Sequence, residues 1–227
     1  GYLNNICSGE ILGTIGGGRL NVVGGDYGTV AGGYYNKALD NCSFIGGGCC
    51  NEASCTSTTI AGGSDNLACE NYSAIGGGYG NASIGAYSFL GGGDGNTASG
   101  TKSFMGGGSF NQAAQNFTTV GGGHTNRACA LYSSILGGTN NTVETNSTGS
   151  SIIGGCENNI SNSYAVIAGG QCNTGSGFGG FIGAGSNNWT NALYGVVVGG
   201  ANNKNEGQKS FIGAGCNNEI DSSVNSA

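Results

Sequence analysis

An aliphatic residue recurs along the chain at nearly every fifteenth position. These residues, here called anchors, are Ile15, Val30, Ile45, Ile60, Ile75, Leu90, Met105, Val120, Ile135, Ile152, Ile167, Ile182, Val197 and Ile212. The step from Ile135 to Ile152 is 17 residues, and every other step is 15 residues. A fixed short period is the signature of a solenoid, in which each repeat stacks on the one before it.

Two further positions do not vary in any of the repeats. A glycine stands three residues after each anchor and an asparagine stands six residues after it. The glycine predicts a corner with a positive φ or a close backbone approach, and the asparagine predicts a ladder of amide hydrogen bonds between turns. In the first six repeats the pairs are Gly18 and Asn21, Gly33 and Asn36, Gly48 and Asn51, Gly63 and Asn66, Gly78 and Asn81, and Gly93 and Asn96.

The alternation of residue types around each anchor predicts short β-strands. The positions two before and two after the anchor would share its side, and the positions between them would face the other side. A small or aliphatic residue eight positions after the anchor, such as Val23 or Ala38, marks a second strand. Two strands and two turns would then make one coil. We therefore expect an all-β fold, a β-solenoid of fourteen coils with a period of fifteen, as one repetitive domain over 1–227.

Two features depart from strict repetition. The one longer step predicts a two-residue insertion loop within 144–151, because insertions in solenoids occur at turns. The chain also begins with Gly1 and Tyr2 rather than an initiator methionine, which favours an excerpt of a longer fibre.

An apolar stripe predicts that the chain does not act alone. The position before the anchor holds Phe44, Phe89, Phe104, Phe181 and Phe211. A stripe of this kind exceeds the apolar surface that monomers usually expose, and glycines beside it would let neighbouring backbones approach closely. We expect these phenylalanines at a subunit interface in a parallel homotrimer, although the residues alone do not distinguish a trimer from another oligomer.

Composition narrows the classes of partner. The 51 glycines disfavour a helical protein, and the absence of proline and of a three-residue glycine period excludes collagen. The net charge is −6, and the six basic residues are scattered, which argues against a nucleic-acid partner. No apolar run approaches the length of about 18 residues that a membrane-spanning helix needs, so we expect no membrane insertion.

The sequence predicts no catalytic or metal chemistry. His124 is the only histidine, no cysteine pair has C-x-x-C spacing, and the carboxylates occupy no repeated position. Zinc sites and acid–base pairs depend on such clusters. We therefore expect a protein that is not an enzyme and has no cofactor.

Four of the ten cysteines fall at neighbouring positions in consecutive coils. Stacked coils lie about 4.8 Å apart, which is inside the range of about 4.4–6.8 Å for the Cα atoms of a disulfide. Cys55 with Cys69, and Cys156 with Cys172, are predicted inter-coil disulfides, with free buried thiols as the alternative. The adjacent Cys49 and Cys50 are candidates for bonds between chains. Disulfides would indicate an oxidising location.

Several asparagines lie in N-x-S/T sequons. If the host glycosylates this protein, the candidate acceptors are Asn41, Asn71 and Asn116 in the variable turn and Asn146 in the insertion loop.

The unit S-x-I-x-G-G-x-x-N-x-A resembles known fibre repeats. Residues 88–98 illustrate it. Such units are similar to the repeats of trimeric autotransporter adhesin heads, and resemble more closely the I-G-G-G-x-x-N-x-A segments of phage and large-virus fibre proteins. The resemblance covers essentially the whole chain. It implies a trimeric β-solenoid or β-prism rod that carries a receptor-binding tip.

Together these observations predict a structural host-attachment fibre segment from a virus, a phage or a cell-surface adhesin. Its expected partners are copies of itself and a host-surface glycan or protein receptor, and its expected location is extracellular or on the virion surface. One alternative is a monomeric ice-binding β-solenoid, which would need a uniform column of Thr or similar residues. A second alternative is a self-assembling extracellular structural filament.

Overall fold

The structure, a computed structural model, describes residues 1–7, 9 and 11–222. The described part is all-β and contains no helix, and therefore no helix that could cross a membrane. It divides into two compact units, residues 1–111 and 112–227. Each unit is a parallel β-solenoid, and together they contain about 14 turns, as the period predicts. That residues 1–227 form a single domain stays a prediction.

Strands of two residues form two parallel sheets in each unit. The anchor sheet contains each anchor and the residue before it, and the alanine sheet contains the positions seven and eight after the anchor. The strands of the first unit are β1 (Asn5–Ile6), β2 (Thr14–Ile15), β3 (Val22–Val23), β4 (Thr29–Val30), β5 (Lys37–Ala38), β6 (Phe44–Ile45), β7 (Glu52–Ala53), β8 (Thr59–Ile60), β9 (Leu67–Ala68), β10 (Ala74–Ile75), β11 (Ala82–Ser83), β12 (Phe89–Leu90), β13 (Thr97–Ala98) and β14 (Phe104–Met105).

The second unit repeats this arrangement. Its alanine sheet contains the odd-numbered strands and its anchor sheet the even-numbered ones. The strands are β15 (Gln112–Ala113), β16 (Thr119–Val120), β17 (Arg127–Ala128), β18 (Ser134–Ile135), β19 (Thr142–Val143), β20 (Ser151–Ile152), β21 (Asn159–Ile160), β22 (Val166–Ile167), β23 (Thr174–Gly175), β24 (Phe181–Ile182), β25 (Trp189–Thr190), β26 (Val196–Val197), β27 (Lys204–Asn205), β28 (Phe211–Ile212) and β29 (Glu219–Ile220).

Every strand pairs in parallel with the equivalent strand of the next turn. The usual register pairs residues fifteen apart, as in Ile45 opposite Ile60. The insertion lengthens this step by two where Ile135 lies opposite Ile152. A second step of the longer kind joins β1 to β3, with Asn5 opposite Val22. This first step was not recognised in the sequence because no anchor precedes Ile15.

A third column of paired residues corrects the expected coil of two strands and two turns. Four residues after each anchor, single residues form parallel bridges from turn to turn, as Tyr34 does with Cys49 and Cys49 with Ser64. We call these residues the bridge column. Each turn therefore has three hydrogen-bonded sides rather than two. The bridge column is chemically mixed, so no hydrophobic pattern marks it in the sequence.

The interior is narrow and almost entirely filled by four residues per turn. Apart from Ile15 and Ile220, which are half-buried, the anchors and the residues eight positions later are buried, as in Ile45, Ala53 and Ile60, each 0% exposed. The Ser or Thr two before the anchor and the Asn six after it are buried as well. Where a polar residue replaces the alanine, its surroundings differ: Ser83 Oγ lies 2.6 Å from Ser88 Oγ, whereas the buried Thr190 Oγ1 has no hydrogen-bond partner. The small cross-section explains the preference for Ala and Ser opposite Ile.

The corners of each turn depend on left-handed backbone. The glycine three after the anchor has a φ between 81° and 96° in the first six repeats, and a Cβ there would overlap the carbonyl oxygen of the next such glycine. Two other corner positions are left-handed without being glycine, as in Tyr72 (φ 60°) and Cys50 (φ 59°). Such conformations cost about 1–3 kcal/mol each and persist only where neighbouring structure enforces them.

The asparagine ladder supplies that enforcement at the glycine corner. In Asn158, Nδ2 donates to the carbonyl oxygens of Gly154 (3.2 Å) and Gly170 (3.0 Å). Its backbone N–H and Nδ2 also donate to Asn141 Oδ1, at 3.0 and 3.1 Å. Its own Oδ1 accepts the equivalent two bonds from Asn173. One buried side chain thus satisfies the glycine corners of its own turn and of the next.

The ladder extends one rung further than the sequence pattern indicated. Asn4 Oδ1 accepts the backbone N–H of Asn21 at 3.0 Å, and Asn4 Nδ2 donates to the carbonyl oxygen of Gly17 at 3.0 Å. The step from Asn4 to Asn21 has the longer spacing, the same as from Asn141 to Asn158. A search allowing both spacings would have found it.

We expect Asn158→Ala to lower the free energy of unfolding by about 3 kcal/mol or more. The change removes the partners of the Asn173 backbone N–H and of the Gly154 carbonyl oxygen, and each such group costs about 1–3 kcal/mol when it is left unpaired. The matched control is Asn159→Ala, because Asn159 faces outward and bonds an exposed carboxylate, Glu144 Oε1, at 2.8 Å. Urea unfolding should show a change within about 0.5 kcal/mol for the control. Equal destabilisation by the two substitutions would contradict the role assigned to the ladder.

Candidate functional site

One surface of each unit carries no charge. It consists of the positions one before, one after and two after each anchor, and we call it the uncharged face. In the fourteen repeats these positions hold Phe, Thr, Ser, Val, Ile, Leu, Ala and Gly. The side chains of the anchor-sheet strands alternate, so the anchor is buried while the residue before it points outward. The uncharged face is therefore on the surface of each unit, not in its core.

The five phenylalanines predicted at an interface lie on this face. In the first unit, Phe44, Phe89 and Phe104 are 40%, 43% and 44% exposed. Phe89 and Phe104 stack on consecutive turns with ring centroids 5.8 Å apart. In the second unit, Phe181 and Phe211 are 37% and 64% exposed. Half-exposed aromatic rings in a regular row form an apolar surface that is usually covered by a partner.

Glycines two positions after the anchor make the uncharged face flat. An added Cβ would meet no atom within 4 Å at Gly17, Gly32, Gly62, Gly137, Gly154, Gly169 and Gly199, and none of these has a left-handed φ. Ala184 and Ala214 occupy the same position, so a Cβ is tolerated there. At Gly47 and Gly77 the φ angles of 152° and 151° do favour glycine. At the seven open positions, the fold of one chain does not require glycine.

The outward side of the alanine sheet carries charged residues, in contrast to the uncharged face. Its outward residues include Lys37, whose Nζ lies 3.3 Å from Glu52 Oε2 on the next turn. In the second unit Lys204 Nζ lies 2.9 Å from Glu219 Oε1, and Arg127 Nε donates to an amide oxygen one turn earlier. Exposed pairs of this kind contribute little to stability, about 0–1 kcal/mol. They distinguish the charged outward side of this sheet from the uncharged face.

Aromatic residues also line a turn, three positions before the anchor. Tyr72 and Tyr87 stack with ring centroids 4.9 Å apart and planes inclined by 10°, and Phe117 and Tyr132 stack at 5.0 Å. Both tyrosines of the first pair are about half exposed. Within each of these two pairs, the ring of one turn lies on the ring of the neighbouring turn.

The predicted disulfides are absent from the structure, in which all ten cysteines are free thiols. Cys55 Sγ donates to the carbonyl oxygen of Cys69 at 2.8 Å. Burial raises the pKa of both thiols. Cys156 belongs to the bridge column, whereas Cys172 occupies the left-handed position that follows the bridge column in the next turn. The Sγ of Cys172 lies 3.2 Å from Glu157 Oε2. Coil spacing alone therefore did not determine where the thiols point.

No metal site emerges in the described part of the chain. Across residues 1–7, 9 and 11–222, no three His, Cys, Asp or Glu side chains are grouped so as to hold a metal ion.

The two-residue insertion is more regular than the irregular loop expected for 144–151. The backbone N–H of Ser147 donates to Glu144 O at 3.1 Å, and that of Ser150 donates to Ser147 O at 3.2 Å. Ser147 and Ser150 are buried, and Ser147 Oγ donates to Ile160 O at 3.1 Å. The insertion thus forms two tight turns attached to the next coil.

The candidate glycosylation sites are all on the surface. Each is exposed, and their modification stays a prediction; they are Asn41, Asn71, Asn116 and Asn146.

We expect Glu157→Gln to speed alkylation of Cys172 by iodoacetamide several-fold at pH 8. The hydrogen bond to the Glu157 carboxylate raises the pKa of the Cys172 thiol, which lowers the fraction of reactive thiolate at this pH. Removing the carboxylate charge lowers that pKa and increases the thiolate fraction. Mass spectrometry gives the rate, with Cys216 as the internal reference. An unchanged rate at Cys172 would show that the contact does not control its reactivity.

Comparison with known proteins does not identify a relative. No protein-family model matches the chain, and no curated protein sequence matches it at a significant level. A functional interpretation therefore depends on the surfaces of the chain itself, the uncharged face with its open glycine positions and the charged alanine sheet.

Proposed function

We propose that this chain is a structural segment of a host-attachment fibre and is not an enzyme. Chains associate side by side through the uncharged face as a parallel homotrimer, while the alanine sheets face water. Such an assembly presents a receptor-binding end, for a host-surface glycan or protein, in several symmetric copies. Multivalent display raises avidity without new contacts at each site. An extracellular or virion-surface location follows from this role.

The glycines at open positions are the observation that carries this proposal. Gly32, Gly62 and Gly169 have free space where a side chain would point, and their backbone does not demand glycine. Glycine is unfavourable at a position that accepts a side chain, because it adds conformational entropy to the unfolded chain. A second backbone lying close against this face gives a reason for the missing side chains. The close approach would also cover the neighbouring phenylalanines.

The energetics favour association along the face. Burying the exposed half of one Phe ring contributes on the order of 1 kcal/mol, and each chain offers five such rings. No charged residue on the face would lose its hydration. Each subunit that associates loses translational and rotational freedom once, at a cost of about 4–15 kcal/mol. The apolar contacts that offset this cost recur along the face.

Light scattering of the native chain should give about three times the chain mass of 22.2 kDa, with and without reductant. Gly62→Glu should reduce this mass to that of one chain, since it places a charge in the interface at a position where the single chain has room. The matched control, Ala82→Glu, puts the same charge on the outward side of the alanine sheet and should leave the trimer intact.

Circular dichroism is the control for folding, and both variants should give the spectrum of the native protein. A native protein that is monomeric at all concentrations would contradict the proposal and favour the ice-binding alternative. Equal dissociation by the two variants would place the interface elsewhere.

A further inference from the structure

Cys49 and Cys50 bring two thiols together within one turn of the first unit. Their Sγ atoms lie 3.0 Å apart, and both residues are half-buried. Cys49 belongs to the bridge column, and Cys50 takes the left-handed conformation with a φ of 59°. The left-handed residue turns its side chain back toward its neighbour, whereas consecutive residues of a regular strand point to opposite faces.

We propose that Cys49 and Cys50 are a redox-active dithiol, which closes reversibly to a disulfide between adjacent residues when a small-molecule disulfide acts as the oxidant.

The distance favours covalent closure over metal binding. A metal ion held between two thiolates in a linear arrangement would need the sulfurs about 4.6 Å apart, given metal–sulfur bonds of about 2.3 Å. A tetrahedral ion would need about 3.8 Å from the same bond lengths. A disulfide needs about 2.05 Å, so the observed 3.0 Å lies about 1 Å from the bonded distance. No third metal ligand groups with this pair in the described part of the chain.

The reaction is a two-step thiol–disulfide exchange. The thiolate of one cysteine attacks the small disulfide, forms a mixed disulfide and releases one small thiolate. The second cysteine then attacks the protein sulfur of that mixed disulfide, closes the Cys49–Cys50 bond and releases the other small thiolate. The two protons of the cysteine thiols end on the two released thiols. The protein is oxidised by two electrons, and the small disulfide is reduced by two.

The surroundings favour the protonated thiol of Cys50 at neutral pH. The hydrogen bond with Cys49, together with burial and the nearby Asp65, raises the pKa of Cys50 to about 11, while Lys37 opposes the shift. Closure should therefore become faster as the pH rises toward 11, because the attacking species is the thiolate.

Adjacency makes the closed form labile. Neighbouring Cα atoms are about 3.8 Å apart, below the usual range of about 4.4–6.8 Å for disulfides. The peptide between the two cysteines is also held in place, since Cys50 N–H donates to Tyr34 O at 2.9 Å and Asp65 N–H donates to Cys49 O at 3.0 Å. A disulfide closed against these restraints is strained and easily reduced, which suits a reversible switch rather than a structural bond.

The test uses the reduced full chain incubated with oxidised glutathione at pH 8.5, then alkylated and mapped by mass spectrometry. The peptide that contains both cysteines should lose two hydrogens and resist alkylation until a dithiol reductant is added. Cys156 and Cys172 are internal controls, because they occupy the same two positions of a turn without an adjacent cysteine. They should stay alkylatable or carry glutathione.

The variant Cys50→Ser should convert Cys49 to a stable mixed disulfide with glutathione, since the resolving thiol is gone. Two results would overturn the proposal: Cys49 and Cys50 that stay alkylatable or carry glutathione after oxidation, as the controls do, or a disulfide that joins two chains instead of the adjacent pair.

Discussion

The buried asparagine of each turn is the interaction on which the rest of the structure depends. Its amide bonds the backbone carbonyls at the corners of its own turn and of the next, and an identical amide one turn away. These bonds fix the register at one period of the repeat, with two residues more where the turn is longer. A fixed register stacks equivalent residues of successive turns in columns. The left-handed corners, the two sheets and the bridge column therefore repeat with the same period. A buried polar network of this kind stabilises only when every member is satisfied.

The ladder and the core are predictable from the sequence, because each needs the same kind of residue at the same position of every turn. The anchors, the corner glycines and the asparagines are visible for this reason. The bridge column escaped detection because its backbone forms the pairs, and Arg19, Tyr34 and Ser64 serve equally well. The tyrosines at left-handed corners contradict local preference and are held there by their neighbours. The disulfides Cys55–Cys69 and Cys156–Cys172 were expected from spacing, which does not determine side-chain direction.

Stacking also explains how a function can be read from a chain without identified relatives. Each outward position becomes a row of residues, so a preference at one position is repeated along the surface and becomes a property of a whole face. One such face has no charge, half-exposed phenylalanines and glycines that the single chain does not require. The other sheet carries the ion pairs. This division is the physical basis of the side-by-side assembly that we propose, and the proposed dithiol of Cys49 and Cys50 would add a redox-active site to it.

Hydroxyl-radical footprinting of the native protein tests the central claim most directly, because it compares two aromatic rows of the same unit. In the single chain, Phe89 and Phe104 are 43% and 44% exposed, close to the 52% and 55% of Tyr72 and Tyr87. After correction for intrinsic reactivity, assembly through the uncharged face should protect the two phenylalanines strongly while both tyrosines stay oxidised. Denatured protein supplies the reference rates. Equal oxidation of the two rows at concentrations up to those of the light-scattering experiment would contradict the account.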